Sequence, residues 1–380
     1  MKLRYRYLIT FMVIVLLIIN SCIKFDTYKE IAEENKFSVP GIPFQPEFYV
    51  CQRTAHALNI DGRAREIAWK NAAWTDYFVD IEGELKPEPR YKTRAKMLWD
   101  DQFFYIYAEL EEPDVWATIT KRDEVIYHDN DFEVFIDPDG DTHFYYELEI
   151  NAYGTEWDLL LDKPYRDGAT AVTNWDMHGL KSKVYIDGTI NQPGDTDRGW
   201  SVEIAIPWNV LKECTHMTTP PEDNDQWRVN FSRVQWQVEV VNGKYEKIKN
   251  QKTGKPLPEN NWVWSPQGLI AMHYPEMWGY VQFSYEISGS DTKKFTMRKE
   301  ENAKWILRQL YYKQRSYHNQ YGSYTENISD LDIGDIEFDG YQWPPRIETT
   351  QSQFEIILKS TMTENEWHIF QDGHVIEISN

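Results

Sequence analysis

The sequence predicts a mainly β protein: an antiparallel β-sandwich of jelly-roll or immunoglobulin-like type, followed by a small C-terminal α+β module. Three observations carry this expectation. Between Phe48 and Tyr285, short runs of alternating apolar and polar residues recur between turn residues, and the helical runs among them are brief. Neighbouring runs are joined by turns of two to four residues, as local hairpins in an antiparallel sheet require. After Ser288 the apolar period becomes helical and then returns to alternation.

The chain opens with Lys2, Arg4 and Arg6 ahead of the apolar run LITFMVIVLLII, which ends at Asn20, Ser21 and Cys22. That run is too short to span a bilayer comfortably, and residues 1–21 read as a secretory signal. The ending Ile19-Asn20-Ser21-Cys22 resembles the bacterial lipobox. The resemblance implies lipidation of Cys22, a mature chain anchored to a lipid membrane at its N-terminus, and a place in the bacterial cell envelope. Ile23 stands where some lipoproteins carry the Asp that retains them at the inner membrane, so the outer membrane is expected. Residues 22–46 contain Pro40, Pro43 and Pro46 without a sustained period and read as a tether.

Within residues 47–287, TRAKMLW and QFFYIYAEL flank a turn at Asp100-Asp101, and DFEVFID and HFYYELEIN flank Pro138-Asp139-Gly140-Asp141. WQVEVV and KYEKIK flank Asn242-Gly243, two residues that tolerate positive φ. KSKVYIDG, GWSVEIAI, WRVNFSRVQW and WGYVQFSYE are further strands, while REIAWKNA and the segment from Pro207 are short helices. In residues 288–380, Ala303, Ile306, Leu307, Leu310, Tyr317 and Tyr321 form a helical stripe broken at Gln314. QSQFEIILKS, EWHIFQ and HVIEIS then alternate as strands, the last two joined at Asp372-Gly373.

A formal net charge of −21 argues against a nucleic-acid partner, which needs a basic face. The chain is rich in aromatics, with 16 Trp, 24 Tyr and 17 Phe, more than a core alone explains, and flat rings suit stacking on sugars. Beyond Cys22 stand Cys51 and Cys214, whose spacing leaves pairing open. There is no C-x-x-C-H motif, and His128, His143, His273, Met97 and Met272 are too scattered to define haem ligation. A G-x-S-x-G nucleophile elbow is also absent.

The segment DNDFEVFIDPDGD, residues 129–141, concentrates acids on a strand and its turn. Alternation sets Phe132, Val134 and Ile136 on one face and Asp131, Glu133, Phe135 and Asp137 on the other. Asp137, Asp139 and Asp141 alternate around Gly140 like the start of an EF-hand loop, but position twelve is Leu148 instead of Glu. An ordinary solvated turn and a structural calcium site therefore compete here, and no cofactor is required. A glycosidase needs two carboxyls across a cleft; nothing singles out a pair, and no other domain reaches the roughly 250 residues of a catalytic barrel.

IDGRAREIAW, FFYIYAELEEPDVWATITKRD, the stretch from DNDFEVF to DKPYRDG, GWSVEIAIPW, WRVNFSRVQW and WVWSPQGLIAMHYPEMWGYVQF, taken in this order, resemble the carbohydrate-binding module family 9-like domain, a relative of DOMON-like sandwiches. The resemblance covers roughly residues 48–285. It implies a sandwich that binds an oligo- or polysaccharide through Trp rings and through Arg, Asn and acidic partners, with calcium as a structural ion. The matching blocks offer Trp116, Arg122, Glu133, Asn151, Trp157 and Trp264, and Trp175 in a loop between blocks is a further stacking candidate. The expected protein is an envelope lipoprotein that binds carbohydrate without turnover through a Trp-lined groove, in support of polysaccharide degradation or uptake. Residues 288–380 would then be available to a protein partner. The alternatives are a glycoside hydrolase using acids of the same face, and a haem-binding DOMON-like domain or partner-docking scaffold.

Overall fold

Side chains of alternate parity along each strand face either a shared core or an outer surface, and this parity builds the sandwich. The computed structural model describes residues 37–379 apart from 292, 335 and 337. The expected signal, the expected lipidation site Cys22 and most of the tether lie outside the described residues. No helix among the described residues is long and apolar enough to cross a membrane.

The strands are β1 (Phe48–Arg53), β2 (Val79–Asp80), β3 (Thr93–Trp99), β4 (Phe103–Glu111), β5 (Asp131–Asp137), β6 (Tyr145–Asn151), β7 (Glu156–Leu161) and β8 (Ala171–Val172). They continue with β9 (Lys181–Asp187), β10 (Gly199–Pro207), β11 (Gln226–Gln235), β12 (Val238–Val241), β13 (Lys244–Lys247), β14 (Asn260–Val263) and β15 (Gly279–Ile287). Short helices α1 (Ile67–Asn71) and α2 (Trp208–Leu211) interrupt them. The pairing runs β8-β7-β6-β5-β11-β15-β1-β3-β4-β10-β9, with β14 on β11 and β2 on β14.

β1 joins the two layers. Its first residues pair with β15, Phe48 opposite Tyr280, and after an irregularity between Cys51 and Arg53 its last two pair with Leu98 and Trp99 of β3. A strand that changes partners at a bulge makes the corner of a sandwich. Both pairings are parallel, so the sheet is mixed where the sequence predicts antiparallel pairing throughout. Phe132, Val134, Ile136, Leu148, Ile150, Phe231 and Phe283 of one layer face Met97, Phe104, Ile106, Val202 and Ile204 of the other, all sealed from solvent. Cys51 and Cys214 are separate buried thiols.

The hairpins follow their turn chemistry. Asn242 and Gly243 adopt φ of 52° and 75°, as a two-residue turn matching the strand twist requires. The turn between β3 and β4 falls one residue later than the sequence suggests, because Asp100 pairs with Phe103 and its Oδ1 accepts the N–H groups of Gln102 and Phe103.

The C-terminal part comprises α3 (Glu300–Tyr321), β16 (Arg346–Thr349), β17 (Phe354–Lys359), β18 (Glu366–Phe370) and β19 (Val375–Ile378), the strands forming one antiparallel sheet. α3 runs unbroken through Gln314, whose buried side-chain amide bonds Thr325 N–H and C=O at 3.2 and 2.6 Å. The polar residue in the stripe is thus a clamp on the following turn, not a helix break.

Residues from Val39 onward form one compact unit, and α3 is fastened to the sandwich by buried charge as well as by its buried apolar stripe. Glu301 accepts from Tyr280 at 2.7 Å and Arg228 at 3.3 Å, and Glu276 meets Arg166 at 2.9 Å, Arg308 at 3.8 Å and the Tyr312 hydroxyl at 2.5 Å. Burial pushes the Glu276 carboxyl up, but Arg166 and Arg308 outweigh it and hold it at about 2.

Candidate functional site

The outer face of β5, β6 and β7 carries an in-register row of polar and aromatic side chains. Ser232 stands opposite Glu133, Glu133 opposite Glu149, and Glu149 opposite Trp157. Asp131 and Glu147 belong to the same face, and ligand oxygens of Asp131, Glu133 and Glu149 lie within 4.8 Å of one another. Burial lifts the Glu133 carboxyl to about 7 and drives those of Asp131, Glu147 and Glu149 well above the usual range. Burial and the repulsion between neighbouring acids both favour the protonated forms. Neutral carboxylic acids both donate and accept hydrogen bonds.

Two half-exposed tyrosines frame this face. Tyr127, 39% exposed, donates its backbone N–H to Glu149 Oε2 at 2.9 Å, and its carbonyl accepts from Trp236 Nε1 at 2.8 Å. Tyr165, 41% exposed, sets its ring edge-on to His273 at 4.4 Å, and its phenol is pushed up by burial and by the charges of Glu147, Glu149 and Tyr127. His273 Nδ1 meets the Tyr145 hydroxyl at 3.0 Å and Nε2 stands 3.9 Å from Glu147. Burial, reinforced by Arg166, lowers His273 to about 3, so the ring is neutral. Lys247 reaches over from the β12–β13 hairpin, 3.3 Å above the Trp236 ring, and burial lowers its ammonium to about 8.

The residues that the sequence nominates do not all meet here. Glu133 and Trp157 lie on this face, and Trp157 Nε1 is buried without a hydrogen bond. Trp116, 5% exposed, packs with Val234 and Trp236. Trp264, 2% exposed, lies against Gly279, where a Cβ would come 2.6 Å from the indole. Trp175 packs on Tyr146 at 5.1 Å and donates to Glu213 at 2.9 Å. The four indoles are thus divided among three apolar clusters and line no common groove; large apolar rings fill gaps in the interior.

Arg122 and Asn151 serve the scaffold. Arg122 pairs with Glu156, with Asp158 at 2.6 Å and with Asp176 at 2.7 Å. Asn151 is fully buried: its oxygen accepts from Tyr153 and Thr155 N–H at 3.0 and 3.1 Å, and its amide donates to Ile119 O and Asp129 at 2.8 and 3.0 Å. That turn forms one wall of a groove of about 280 Å³, lined by Tyr153 and Gly154 on one side and Ser182, Lys183, Val184 and Ile186 of β9 on the other.

The Asp137–Asp141 turn is not solvated as the simpler expectation had it. Asp137 is fully buried and accepts N–H groups of Gly140 and Thr142, both at 2.9 Å. The Lys304 ammonium caps the carbonyls of Asp139 and Gly140 at 2.9 and 3.2 Å, and His216 sits 3.0 Å from Asp139. Carboxylate oxygens of Asp137, Asp139 and Asp141 lie within 4.8 Å of one another, so the three calcium candidates do converge. Sequence reasoning missed the covering residues because Lys304 returns from far along the chain. It also passed over Tyr127 and Tyr165, although their signal was the 24 tyrosines of the composition.

Residues 60–226 match the family described as carbohydrate family 9 binding domain-like. Over 117 residues the chain is 29% identical to Exoglucanase XynX of Acetivibrio thermocellus, a match covering 31% of this chain and 9% of that enzyme. Among solved structures, a protein of Bacteroides uniformis ATCC 8492 aligns at TM-score 0.47 and 15% identity over 63% of this chain and 100% of its own. A carbohydrate binding module family 9 from Caldicellulosiruptor kristjanssonii, in complex with cellotriose, aligns at TM-score 0.39 and 12% identity over 66% of this chain and 100% of its own. The stretch that resembles the carbohydrate family 9 binding domain-like family, residues 60–226, supplies β2 to β10 and the acid-bearing face.

Proposed function

We propose that this protein binds carbohydrate without turning it over, at the outer face of β5, β6 and β7, and does so as a lipid-anchored protein of the bacterial cell envelope in support of polysaccharide degradation or uptake. The observation that carries the reading is the in-register row Glu133, Glu149 and Trp157 between half-exposed Tyr127 and Tyr165, inside the segment that matches the family. A pyranose has flat C–H faces and a rim of hydroxyls. Tyrosine rings suit the faces, and protonated acids suit hydroxyls, which also donate and accept. The name of the exoglucanase from Acetivibrio thermocellus supports a glucan type of ligand.

The electrostatics single out no ionised nucleophile among the acids of this face. A glycosidase pushes its two carboxyls apart, one kept as acid and one ionised as nucleophile or base. Here Glu133, Glu147, Glu149 and Asp131 are all pushed the same way by burial. Calorimetric titration of the mature chain with cello- and xylo-oligosaccharides should give saturable binding with no new reducing ends. Tyr127→Ala should weaken it by about 1 kcal/mol, roughly fivefold in Kd, for loss of one stacking ring. Unchanged affinity in Tyr127→Ala would remove this face from consideration, and reducing ends that vanish in Glu133→Gln would make the protein a hydrolase.

A further inference from the structure

Two Asp-x-His tripeptides, Asp141-Thr142-His143 and Asp372-Gly373-His374, meet where the β18–β19 turn covers the β5–β6 turn. Their geometry is reciprocal. In each, Asp Oδ1 accepts the backbone N–H of its own His, at 2.7 Å for His143 and 3.4 Å for His374. In each, Oδ2 turns toward the other tripeptide's imidazole: Asp141 Oδ2 lies 2.9 Å from His374 Nε2, and Asp372 Oδ2 lies 3.6 Å from His143 Nε2. The imidazoles stack with centroids 4.4 Å apart.

Other bonds hold the two turns in this relation. Val375 N–H donates to Asp141 O at 3.3 Å, Thr142 Oγ1 to Gly373 O at 3.1 Å, and Arg308 Nη2 bridges Gly373 O and Thr142 Oγ1 at 2.7 and 3.1 Å. The four side chains are therefore oriented by backbone and by Arg308 as well as by one another.

Hydrogen bonding leaves part of the cluster unused. His143 is 6% exposed, and its Nε2 is buried with no hydrogen bond. His143 Nε2 and Asp372 Oδ2, 3.6 Å apart, are held together either by a proton on the ring or by a cation shared between them. A tetrahedral ion with bonds of about 2.0–2.2 Å sets its ligands roughly 3.4 Å apart, and the two cross-turn separations of 2.9 and 3.6 Å bracket that value. Ligand atoms of Asp141, His143 and His374 all lie within 4.8 Å of one another.

We propose that Asp141, His143 and His374 bind one divalent transition-metal ion of the zinc class, with Asp372 closing onto it from beside His143, and that the ion clasps the C-terminal module to the sandwich. Two imidazoles with two carboxylates suit such an ion; calcium takes six or more oxygens. The site shares only Asp141 with the acidic turn of Asp137 and Asp139, and it is independent of the saccharide reading.

Cobalt(II) titrated into tag-free, chelator-treated mature chain is the test. One equivalent should produce the intense visible bands of a tetrahedral site; one equivalent of zinc should abolish them and raise the melting temperature, and calcium should do neither. His374→Gln and Asp372→Asn should each weaken cobalt binding by about tenfold or more, since even a metal's outer partners carry that much. The wild-type spectrum decides even where a variant fails to fold: absence of the bands overturns the proposal. Displacement of cobalt by calcium, or binding undiminished in the double variant His143→Gln with His374→Gln, overturns it equally.

Discussion

At Glu133, burial removes the water that would solvate a carboxylate while Glu149 faces it across the ladder. The acid is raised from 4.5 to about 7, with burial the main cause. The folded state therefore holds this proton over a window in which the unfolded chain has released it, and stability falls as pH rises from 4.5 through 7. The loss is complete above that window and amounts to about 3 kcal/mol. Glu133→Gln should accordingly melt higher than the wild type at pH 8, match it near pH 4.5, and show a shallower slope between. Melting curves across that range check this, and a variant less stable than wild type at pH 8 would contradict it. At this scale the sequence made the acids and their shared face legible, because parity along a strand is local. It did not show that Arg122 and Asn151 spend their hydrogen bonds on the scaffold, or that Trp116 and Trp264 point inward. Those facts depend on which distant segment covers each side chain.

The hairpins were readable because their partners are neighbours: Asn242-Gly243 needs no information beyond itself and its flanks. The placement of β1 was not, since its partners on β15 lie more than two hundred residues away and its switch to β3 depends on both layers existing. α3 was legible as a helix, but its docking was not, because the ion pairs that orient it join it to loops of the sandwich. Glu276 is the centre of that docking. Its depressed carboxyl contributes stability that is fully present above its ordinary 4.5 and is lost as pH falls toward about 2. Glu276→Gln would leave Arg166 and Arg308 buried opposite a neutral group, and breaking one side of such a pair costs about 3–5 kcal/mol. Hydrogen exchange of the full chain should show α3 amides losing protection in Glu276→Gln while β5 and β11 keep theirs. Unaltered α3 protection would mean that apolar packing alone docks the helix.

For the molecule as a whole, the two layers provide a stiff frame, and the third, C-terminal layer covers the acidic β5–β6 turn while leaving Tyr127 and Tyr165 partly open. The proposed function rests on the acid-bearing face of β5 and β6, itself buried, and on the partly open rings of Tyr127 and Tyr165 beside it. The fold class followed from alternation and turns alone; the proposed binding face did not, because it depends on tyrosines that become neighbours only after β5, β6 and the Tyr165 loop are assembled. The most direct measurement is a crystal structure of the mature chain soaked with cellotriose. The account predicts a pyranose ring against Tyr127 or Tyr165 with hydroxyls on Glu133 and Glu149; sugar density confined to the groove between Tyr153 and Lys183, or none on either face at saturating ligand, would contradict it.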